Sequence, residues 1–411
     1  MFVIQAGKLI DGNGGAPRLN VSVFIEGGRI KAIESTSQVD PGPEIEVIDA
    51  TGQTLMPGMI DCHTHLHVPG GPEVFNDYAI LPLTELPATL ALRASAYVQK
   101  DLRAGFTSLR VVDAPYYIDV ALRDAIQQGY LPGPRLRVAG QGICVTGGHM
   151  DHAAWNPMVT VDGRTGVADG PWGMRRAARE QLKRGADLVK INAAGGSLNL
   201  AEPWHQEMTY EEMAAVIDEV HEAGKRVAAH AHGGPGITDA LRAGLDSVEH
   251  GVWLTQEQCE RMAAQNCFYV PTLCTHSRGL SMGKQGTGSS DGGWAWLQKV
   301  DHDRWDSLER AHRARVKICV GTDAGFWMWH GENANELEEL VNGGLSPMEA
   351  IQAATRNGAE NMDILGETGT LEPNKAADLL LVDGDPLADI RILRDPTRII
   401  QVFKAGVKVK A

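Results

Sequence analysis

Cysteine is scarce in this sequence, and its few cysteines show no paired spacing. The 411 residues include six cysteines, and none of them stands at the short intervals typical of zinc-binding or disulfide-rich modules. We therefore expect reduced thiols and a cytoplasmic location rather than a disulfide framework. The six residues are Cys62, Cys144, Cys259, Cys267, Cys274 and Cys319.

Long apolar runs and an excess of basic residues are missing as well. No run is long enough to cross a bilayer, and the first residues lack the basic and apolar stretches of a signal peptide, so we expect neither feature. Acidic residues outnumber basic residues by 52 to 38, which gives a net charge of −14. This charge disfavours nucleic acid and anionic membranes as partners.

The two ends of the chain share a pattern of short strands separated by turns. Near the start, Gly27 and Gly28 separate two strand-like stretches and predict a hairpin. Residues 46–50, 377–382 and 399–404 are strand-like too. We predict that residues 1–56 and 368–411 pair into one small β-sandwich domain, and two independent terminal flaps are the alternative.

The middle of the chain, residues 57–367, alternates short apolar strands with helices. Thr209 and Glu212 form a capping box at the start of one helix, and Ser346-Pro347 starts another. Eight strand–helix alternations predict an α/β fold, a (β/α)8 TIM-like barrel with its active site at the carboxyl ends of the strands. A doubly wound open sheet is the alternative. The predicted strands are residues 55–60, 108–112, 135–139, 188–191, 226–229, 247–249, 268–270 and 317–320.

Side chains able to bind metal follow five of these strands. His63 and His65 end the first strand and, being two residues apart, can face one point, as two ligands of one metal ion do. A single histidine at a strand end is more often structural, but five such coincidences in one barrel are hard to explain in that way. The candidate ligands are His63, His65, Lys190, His230, His250 and Asp323.

This set of residues resembles the binuclear metal branch of the amidohydrolase superfamily. Residues 55–61 and 365–379 are similar to that superfamily too, so the resemblance covers essentially the whole chain. Residues 146–149, 230–233 and 321–333 resemble the imidazolonepropionase-like group. That group includes Xaa-Pro dipeptidases and hydrolases of aryl amides, ureas and carbamates.

The resemblance implies two divalent metal ions at the barrel mouth, and we expect zinc. Lys190 poses a problem, because an ammonium group offers no lone pair and is repelled by cations. The resemblance implies that carbon dioxide carboxylates Lys190 and that the resulting carbamate bridges the ions; an ordinary surface lysine is the alternative. The remaining ligands would divide into His63, His65 and Asp323 on one ion, and His230 and His250 on the other.

Such a centre predicts hydrolysis of an amide-type C–N bond. Bound cations make hydroxide available near neutral pH because they lower the pKa of water. Asp323 is suited to take a proton from the nucleophile and deliver it to the leaving nitrogen. His149, in the loop after the third strand, is a second catalytic candidate that could touch the carbonyl oxygen, although a loop histidine without a role is the alternative.

Four residues are candidates for substrate binding. They are His149, His232, His330 and Arg110. His232 shares a strand face with His230, and His330 is similar to a substrate-side position in the group. Arg110, at the end of the second strand, could pair with a substrate carboxylate or merely brace the barrel.

Aromatic residues and glycines after the strand ends predict an apolar pocket with a mobile lid. The long stretch after the seventh strand, residues 274–296, is rich in glycine and ends in two tryptophans. The alternative is that the aromatic side chains only pack the loops. These side chains include Trp155, Trp172, Trp204, Phe326, Trp327 and Trp329.

Two substrate classes remain open for a metal-dependent amidohydrolase of peptidase or amidase type. The first is a peptide-like molecule or an N-acyl amino acid with apolar or aromatic groups, and the second is a neutral aryl amide, carbamate or urea. A non-catalytic barrel is disfavoured because every ligand position is filled, and a deaminase is disfavoured because deaminases usually lack the bridging lysine. We expect a homo-oligomer that acts on a small molecule in the cytoplasm.

Overall fold

The computed structural model describes residues 1–38, 42–72, 74–151, 156, 158–159, 161–196, 205–287 and 291–410. Its strands are β1 (Phe2–Leu9), β2 (Arg18–Glu26), β3 (Arg29–Ser35), β4 (Glu46–Pro57), β5 (Met59–Thr64), β6 (Phe106–Val111), β7 (Arg135–Val138), β8 (Ile143–Cys144), β9 (Gly166–Val167), β10 (Leu188–Asn192), β11 (Arg226–Gly233), β12 (Ser247–Trp253), β13 (Phe268–Val270), β14 (Leu379–Val382), β15 (Ile399–Lys404) and β16 (Val407–Lys410).

The helices lie mainly between the strands of the central region. They are α1 (Val74–Thr84), α2 (Pro87–Arg103), α3 (Ile118–Gln127), α4 (Gly170–Lys183), α5 (Tyr210–Glu222), α6 (Pro235–Arg242), α7 (Gln256–Gln265), α8 (Leu273–Thr287), α9 (Asp291–Arg313), α10 (Asn335–Asn342), α11 (Pro347–Ala353) and α12 (Arg356–Asn361). Short 3-10 helices cover Thr36–Gln38, Pro115–Tyr117 and Ile390–Arg394. Over the described residues, no helix combines the length and apolarity needed to span a bilayer.

Strands from both ends of the chain form one sheet. Its order is β16-β15-β14-β4-β1-β2-β3, so β4 joins the two ends by pairing parallel with β1 and antiparallel with β14. The predicted hairpin is β2–β3, where Gly27 and Gly28 have the positive φ values, 58° and 78°, of a tight two-residue turn. Ile4, Val23 and Phe403 are fully buried in the core of this sheet.

Parallel strands in the middle of the chain close into the predicted barrel. β5-β6-β7 form one run and β10-β11-β12-β13 another, and the Asp187 amide donates to the Val138 carbonyl across one junction at 2.7 Å. At the other junction, Tyr269 pairs with Ile318, and the Cys62 amide donates to the Val320 carbonyl at 2.8 Å. The prediction of a (β/α)8 barrel with a small β-sandwich is therefore confirmed.

Two strand predictions need correction. The single strand predicted at residues 55–60 is wrong, because residues up to Pro57 belong to the terminal sheet and β5 begins at Met59. The break falls at Gly58, where a Cβ atom would lie 2.2 Å from the Thr107 hydroxyl oxygen. The eighth strand, predicted at residues 317–320, is reduced to one isolated bridge, between Ile318 and Tyr269.

The described residues of the glycine-rich stretch after β13 are helical, so the expectation of a long irregular loop is wrong for them. Residues 273–287 form α8, and Asp291–Arg313 form α9. Gly279 allows α8 to pack closely against Trp327, because a Cβ atom at this position would lie 2.7 Å from the indole ring. Gly283, with a φ of 69°, interrupts the regular helical geometry of α8.

Two helix starts match the sequence predictions. Thr209 and Glu212 form a reciprocal capping box at the start of α5. Ser346 and Glu349 do the same for α11, with Pro347 in the first helical turn. Each capping box fixes the residue at which its helix begins.

Candidate active site

Three predicted ligands meet at the mouth of the barrel. His63 and His65 present their Nε2 atoms to the same Asp323 oxygen, at 3.6 Å and 3.1 Å. The ligand atoms of these three residues lie within 4.8 Å of one another. Burial alone would raise the pKa of Asp323, but the hydrogen bond from His65 and nearby positive charges hold it at about 2. Asp323 is therefore an anion able to bind a metal ion.

A buried carboxylate fixes the orientation of His63. Glu249, on β12, lies 2.8 Å from His63 Nδ1 and 2.6 Å from the Arg110 guanidinium. Because Glu249 is an acceptor, the proton of a neutral His63 ring sits on Nδ1 and leaves the Nε2 lone pair facing Asp323. Burial opposes ionisation of Glu249, but the charge of Arg110 and the His63 contact lower its pKa well below the usual range.

Lys190 lies in the same pocket, in the middle of β10. Its side chain is 5% exposed, and Nζ has no hydrogen-bond partner among the described residues. Burial lowers the pKa of Lys190 to about 8, although the charge of Glu249 opposes this change. A buried amine with this pKa is partly neutral near neutral pH, and only the neutral amine is nucleophilic.

His230 and His250 complete the pocket from neighbouring strands. β11 and β12 pair in parallel, and the ring centroids of the two histidines are 4.6 Å apart. His250 Nδ1 contacts the Thr272 hydroxyl at 2.8 Å, which leaves Nε2 for another partner. Burial lowers the pKa of both rings well below the ordinary value, so both are neutral. Neutral imidazole is the form that binds a metal ion.

The chain turns sharply at two of these ligands. His250 and Asp323 both have positive φ values, 70° and 58°, in the left-handed region that non-glycine residues rarely adopt. His250 lies within β12, Asp323 lies just beyond residues 317–320, and both side chains line the pocket. Backbone strain of this kind is concentrated at functional sites.

The donor atoms suit divalent metal ions. His230 Nε2 and Lys190 Nζ are buried without a hydrogen-bond partner in the described structure, which would cost free energy unless a ligand satisfied them. A Cβ atom at Gly196 would lie 2.7 Å from His230 Nε2, so the glycine keeps space open beside this donor. Imidazole nitrogen and carboxylate oxygen are donors that zinc accepts.

His149 and His232 both line the pocket, as the sequence predicts for substrate-binding residues. His149 stacks on His230, with ring centroids 4.0 Å apart and planes at 13°. Its backbone amide donates to the Glu207 carboxylate at 2.9 Å. His232 stacks on His250 at 5.1 Å. Both rings are therefore held beside the candidate metal ligands.

The structure gives Arg110 and His330 supporting contacts instead of places in the pocket. Neither residue is among the described residues that line it. Arg110 donates to Glu249 and to the Cys62 carbonyl, which favours the bracing alternative. His330 contacts Asp101 through Nδ1 at 2.9 Å and the His65 carbonyl through Nε2 at 3.3 Å. His330 therefore supports the backbone of His65 from outside the pocket.

Aromatic side chains form part of the pocket wall. Phe326 and Trp327, predicted for this role, line it together with Tyr78 and Trp296. Trp172 is 84% exposed on α4 and Trp329 is 41% exposed, so neither supports the prediction. Trp155 and Trp204 lie outside the described residues. The pocket is aromatic on the side of residues 326–327 and α9.

Sequence reasoning missed the acidic residues that hold the ligands. Glu249 is not among the predicted site residues, although a charged side chain in an apolar strand indicates that it has a buried partner. Asp61 accepts from the His63 amide at 3.0 Å and from Asn333 at 2.8 Å, and so ties β5 to the loop after residues 317–320. Asp101 carries no such signal, because it lies within the amphipathic helix α2.

The family follows from comparison with known proteins. The model of the Amidohydrolase family matches residues 54–409, most of the chain. The chain belongs to the amidohydrolase family. This amidohydrolase is 32% identical to ochratoxinase of Aspergillus niger over a 424-residue alignment, which covers 98% of this chain and 85% of the relative.

Solved structures of amidohydrolases share the whole fold. The crystal structure of a Xaa-Pro dipeptidase with methionine bound in its active site matches with a TM-score of 0.90 and 32% identity, covering 100% of both chains. That of a prolidase complexed with N-methylphosphonate-L-proline matches with a TM-score of 0.88 and 29% identity, covering 100% of this chain and 99% of that one. The amidohydrolase described here is accordingly an enzyme that hydrolyses amide-type C–N bonds.

Proposed function

We propose that this amidohydrolase uses two zinc ions to cleave the amide bond of an N-acyl amino acid or peptide-like substrate with an apolar or aromatic group. The observation that carries the proposal is one pocket in which candidate ligands from β5, β10, β11, β12 and the segment after residues 317–320 meet a wall of aromatic side chains. The names of the relatives, ochratoxinase, Xaa-Pro dipeptidase and prolidase, agree with this class of bond.

The proposed ligands divide as the family resemblance implies. His63, His65 and Asp323 would hold one ion, His230 and His250 would hold the other, and a carboxylated Lys190 would be a further ligand. The ions, when bound, activate water and polarise the substrate carbonyl as Lewis acids. Lys190 is suited to carboxylation because its buried amine, with a pKa of about 8, is partly neutral. Its nitrogen forms a bond to the carbon of carbon dioxide and releases one proton.

The side chains of the pocket handle the proton and the substrate. Asp323 accepts the proton of the attacking water and delivers it to the amide nitrogen, which leaves as a neutral amine. His149, stacked on His230, faces the same space and is proposed to donate a hydrogen bond to the substrate carbonyl oxygen. Phe326 and Trp327 exclude water from the apolar part of the substrate.

A second substrate class is a neutral aryl amide, carbamate or urea. One observation favours it: Lys190 is the only Lys or Arg side chain among the described residues that line the pocket, so no free cation is at hand to pair with a substrate carboxylate. Aromatic walls alone would then select the substrate. The two classes differ in one chemical group, and one pair of compounds separates them.

The test is hydrolysis of N-acetyl-L-phenylalanine and of its primary carboxamide by zinc-loaded protein. Preference for the acid, with acetate released from it, supports the first class; equal or better release of acetate from the carboxamide supports the second. Cleavage of neither compound would contradict the proposal of an N-acyl amino acid hydrolase with an aromatic preference. Asp323→Asn, assayed alongside, shows whether any turnover belongs to this site.

We also propose that the protein forms a homo-oligomer and is located in the cytoplasm. We propose, in addition, that it has two domains: a composite terminal domain of residues 1–56 and 368–411, and the barrel of residues 57–367. Light scattering of the purified chain tests the first of these, and a monomer at micromolar concentration would contradict it. Limited proteolysis tests the division, because cuts should concentrate near residues 57 and 367.

A further inference from the structure

One wall of the pocket carries polar groups that the proposed chemistry does not use. Thr275 and His276 lie in the first turn of α8, and Trp296 lies on α9. All three line the pocket beside His232. The ring centroid of Trp296 is 5.2 Å from that of His232 and 5.7 Å from that of His276, so these groups form one continuous surface, which we call the polar wall.

Three atoms of the polar wall are buried without a hydrogen-bond partner among the described residues. They are His232 Nδ1, Thr275 Oγ1 and Trp296 Nε1. Thr275 is 2% exposed and His232 is 4% exposed. Leaving such groups unpaired costs free energy, and native proteins rarely do so without a reason. A bound molecule that brings hydrogen-bond acceptors to this wall would remove the cost.

Neighbouring residues fix the position of the polar wall but do not form hydrogen bonds with its unpaired side-chain atoms. His276 Nδ1 contacts the Thr272 carbonyl at 3.2 Å, which fixes its ring within the first turn of α8. The Glu336 carboxylate accepts from the Leu273 and Cys274 amides at 2.9 Å and 2.7 Å. These first two amides of α8 are therefore occupied, and the side chains of the wall remain as its donors.

The donor set selects the kind of ligand. An indole N–H can only donate, and a threonine hydroxyl can donate, so the ligand must supply acceptors. A carboxylate offers two oxygens with about four lone-pair directions, whereas an amide carbonyl offers two and brings donors of its own. The wall has no acidic member, and the acidic residues that line the pocket, Asp113 and Asp323, have other partners. A carboxylate suits this wall better than a carboxamide.

The position of the wall indicates which carboxylate it would bind. The His232 ring is 4.8 Å from His230 and 5.1 Å from His250, measured between centroids, so the wall begins beside the candidate metal ligands. In an N-acyl amino acid, the α-carboxylate is attached two bonds from the nitrogen of the scissile amide. A group that close to the reacting bond would reach a wall that adjoins the reaction centre.

We propose that Thr275 and Trp296, beside His232, bind the α-carboxylate of the amino acid that leaves, through neutral hydrogen-bond donors. This inference rests on the proposed function and adds to it the groups that recognise the acid. Among the described residues that line the pocket, Lys190 is the only Lys or Arg. Neutral donors would explain how such a pocket can prefer an acid over a neutral amide.

The test uses two variants that each remove one donor and keep its shape. Trp296→Phe retains an aromatic ring without the N–H, and Thr275→Val replaces the hydroxyl with a methyl group. Trp253→Phe is the matched control, because the Trp253 N–H donates to Asp303 at 2.6 Å and Trp253 is not among the described residues that line the pocket. For each protein, kcat/KM is measured with N-acetyl-L-phenylalanine and with its carboxamide.

We expect each donor variant to lower kcat/KM for the acid about 10-fold or more, as expected for loss of a hydrogen bond to a charged group. The value for the carboxamide should change less than about threefold, and the control should keep the acid-to-amide ratio of the wild type. Equal losses for both compounds would assign a structural role to the wall and overturn the proposal. An unchanged ratio in both donor variants would overturn it too.

A binding measurement separates this inference from the proposed function. If wild-type zinc-loaded protein cleaves neither compound, the proposed function fails, and calorimetry with L-phenylalanine and L-phenylalaninamide still tests the wall. Tighter binding of the acid by the wild type, lost in Trp296→Phe and kept in Trp253→Phe, would support a carboxylate subsite. Equal binding of both compounds, or no binding of the acid, would overturn it.

Discussion

The substitution Glu249→Gln tests how the barrel prepares His63 to bind a metal ion. In the wild type, one Glu249 oxygen accepts from Arg110 and Ser247, at 2.6 Å and 2.7 Å, and the other lies 2.8 Å from His63 Nδ1. An amide cannot serve both sides. If its oxygen faces Arg110, its NH2 group faces His63 Nδ1 and favours a proton on Nε2, where the metal ion needs a lone pair.

The opposite orientation of the amide is no better. Its NH2 group would then face the guanidinium of Arg110, donor against donor, and leave that buried charge without its carboxylate partner. Breaking a buried ion pair costs about 3–5 kcal/mol, and the isosteric amide places the expected loss near the lower end, about 3 kcal/mol. Loss of the partner that orients a metal-bound histidine typically lowers metal affinity about 10- to 100-fold.

Two measurements separate these effects. Urea unfolding of the metal-free protein gives the change in the free energy of unfolding, and zinc competition against a chromogenic chelator gives the change in affinity. Ser247→Ala is the matched control, because it removes two neighbouring hydrogen bonds, one from Arg110 and one to Glu249, and should cost about 1–3 kcal/mol while the His63 tautomer is kept. Wild-type zinc affinity in Glu249→Gln would refute the tautomer argument, and wild-type stability would refute the argument from the buried charge.

Four further outcomes are expected. Asp323→Asn should lower kcat by about 100-fold or more with an unchanged circular dichroism spectrum, because the proton acceptor is lost; a rate near wild type would move that role elsewhere. Gly196→Ala should lower zinc occupancy measured by mass spectrometry, because its Cβ would lie 2.7 Å from His230 Nε2; full occupancy would show that the loop yields. Lys190→Ala should bind fewer than two zinc ions per chain, and two bound ions with full activity would exclude the carbamate. In the metal-free wild type, zinc reconstitution with bicarbonate should speed up as the pH rises towards 8, because the amine with a pKa of about 8 loses its proton over that range; a flat profile would contradict carboxylation of the free amine.

Most strands of the barrel and the candidate metal ligands could be proposed from the sequence. Short apolar stretches followed by histidine, lysine or aspartate mark strand ends, because parallel strands of a barrel place their carboxyl ends on one face. The start of α5 could also be predicted, because Thr209 and Glu212 form a capping box, which depends only on residues close together in the sequence. Local patterns of this kind do not require knowledge of what packs against them.

The glycine-rich stretch after β13 shows where local patterns fail. Its glycines favour a loop by propensity, but Gly279 packs against the indole of Trp327 and α8 forms across it. Helix formation there depends on a partner 48 residues away in the chain, which propensity does not include. The break of the predicted first strand at Gly58 has a similar origin, since only the approach of Thr107 requires a glycine at that point.

The sequence by itself determined the fold class, the family and the set of candidate metal ligands, because each is written in short motifs whose spacing carries the geometry. The tertiary structure alone decided which side chains face the pocket. Arg110 and His330 make supporting contacts outside the pocket. Glu249 contacts His63 although the two residues are 186 positions apart in the sequence. Thr275 and Trp296 lie together beside His232. Contacts between elements distant in sequence depend on how the barrel closes, and no local pattern of residues records that closure.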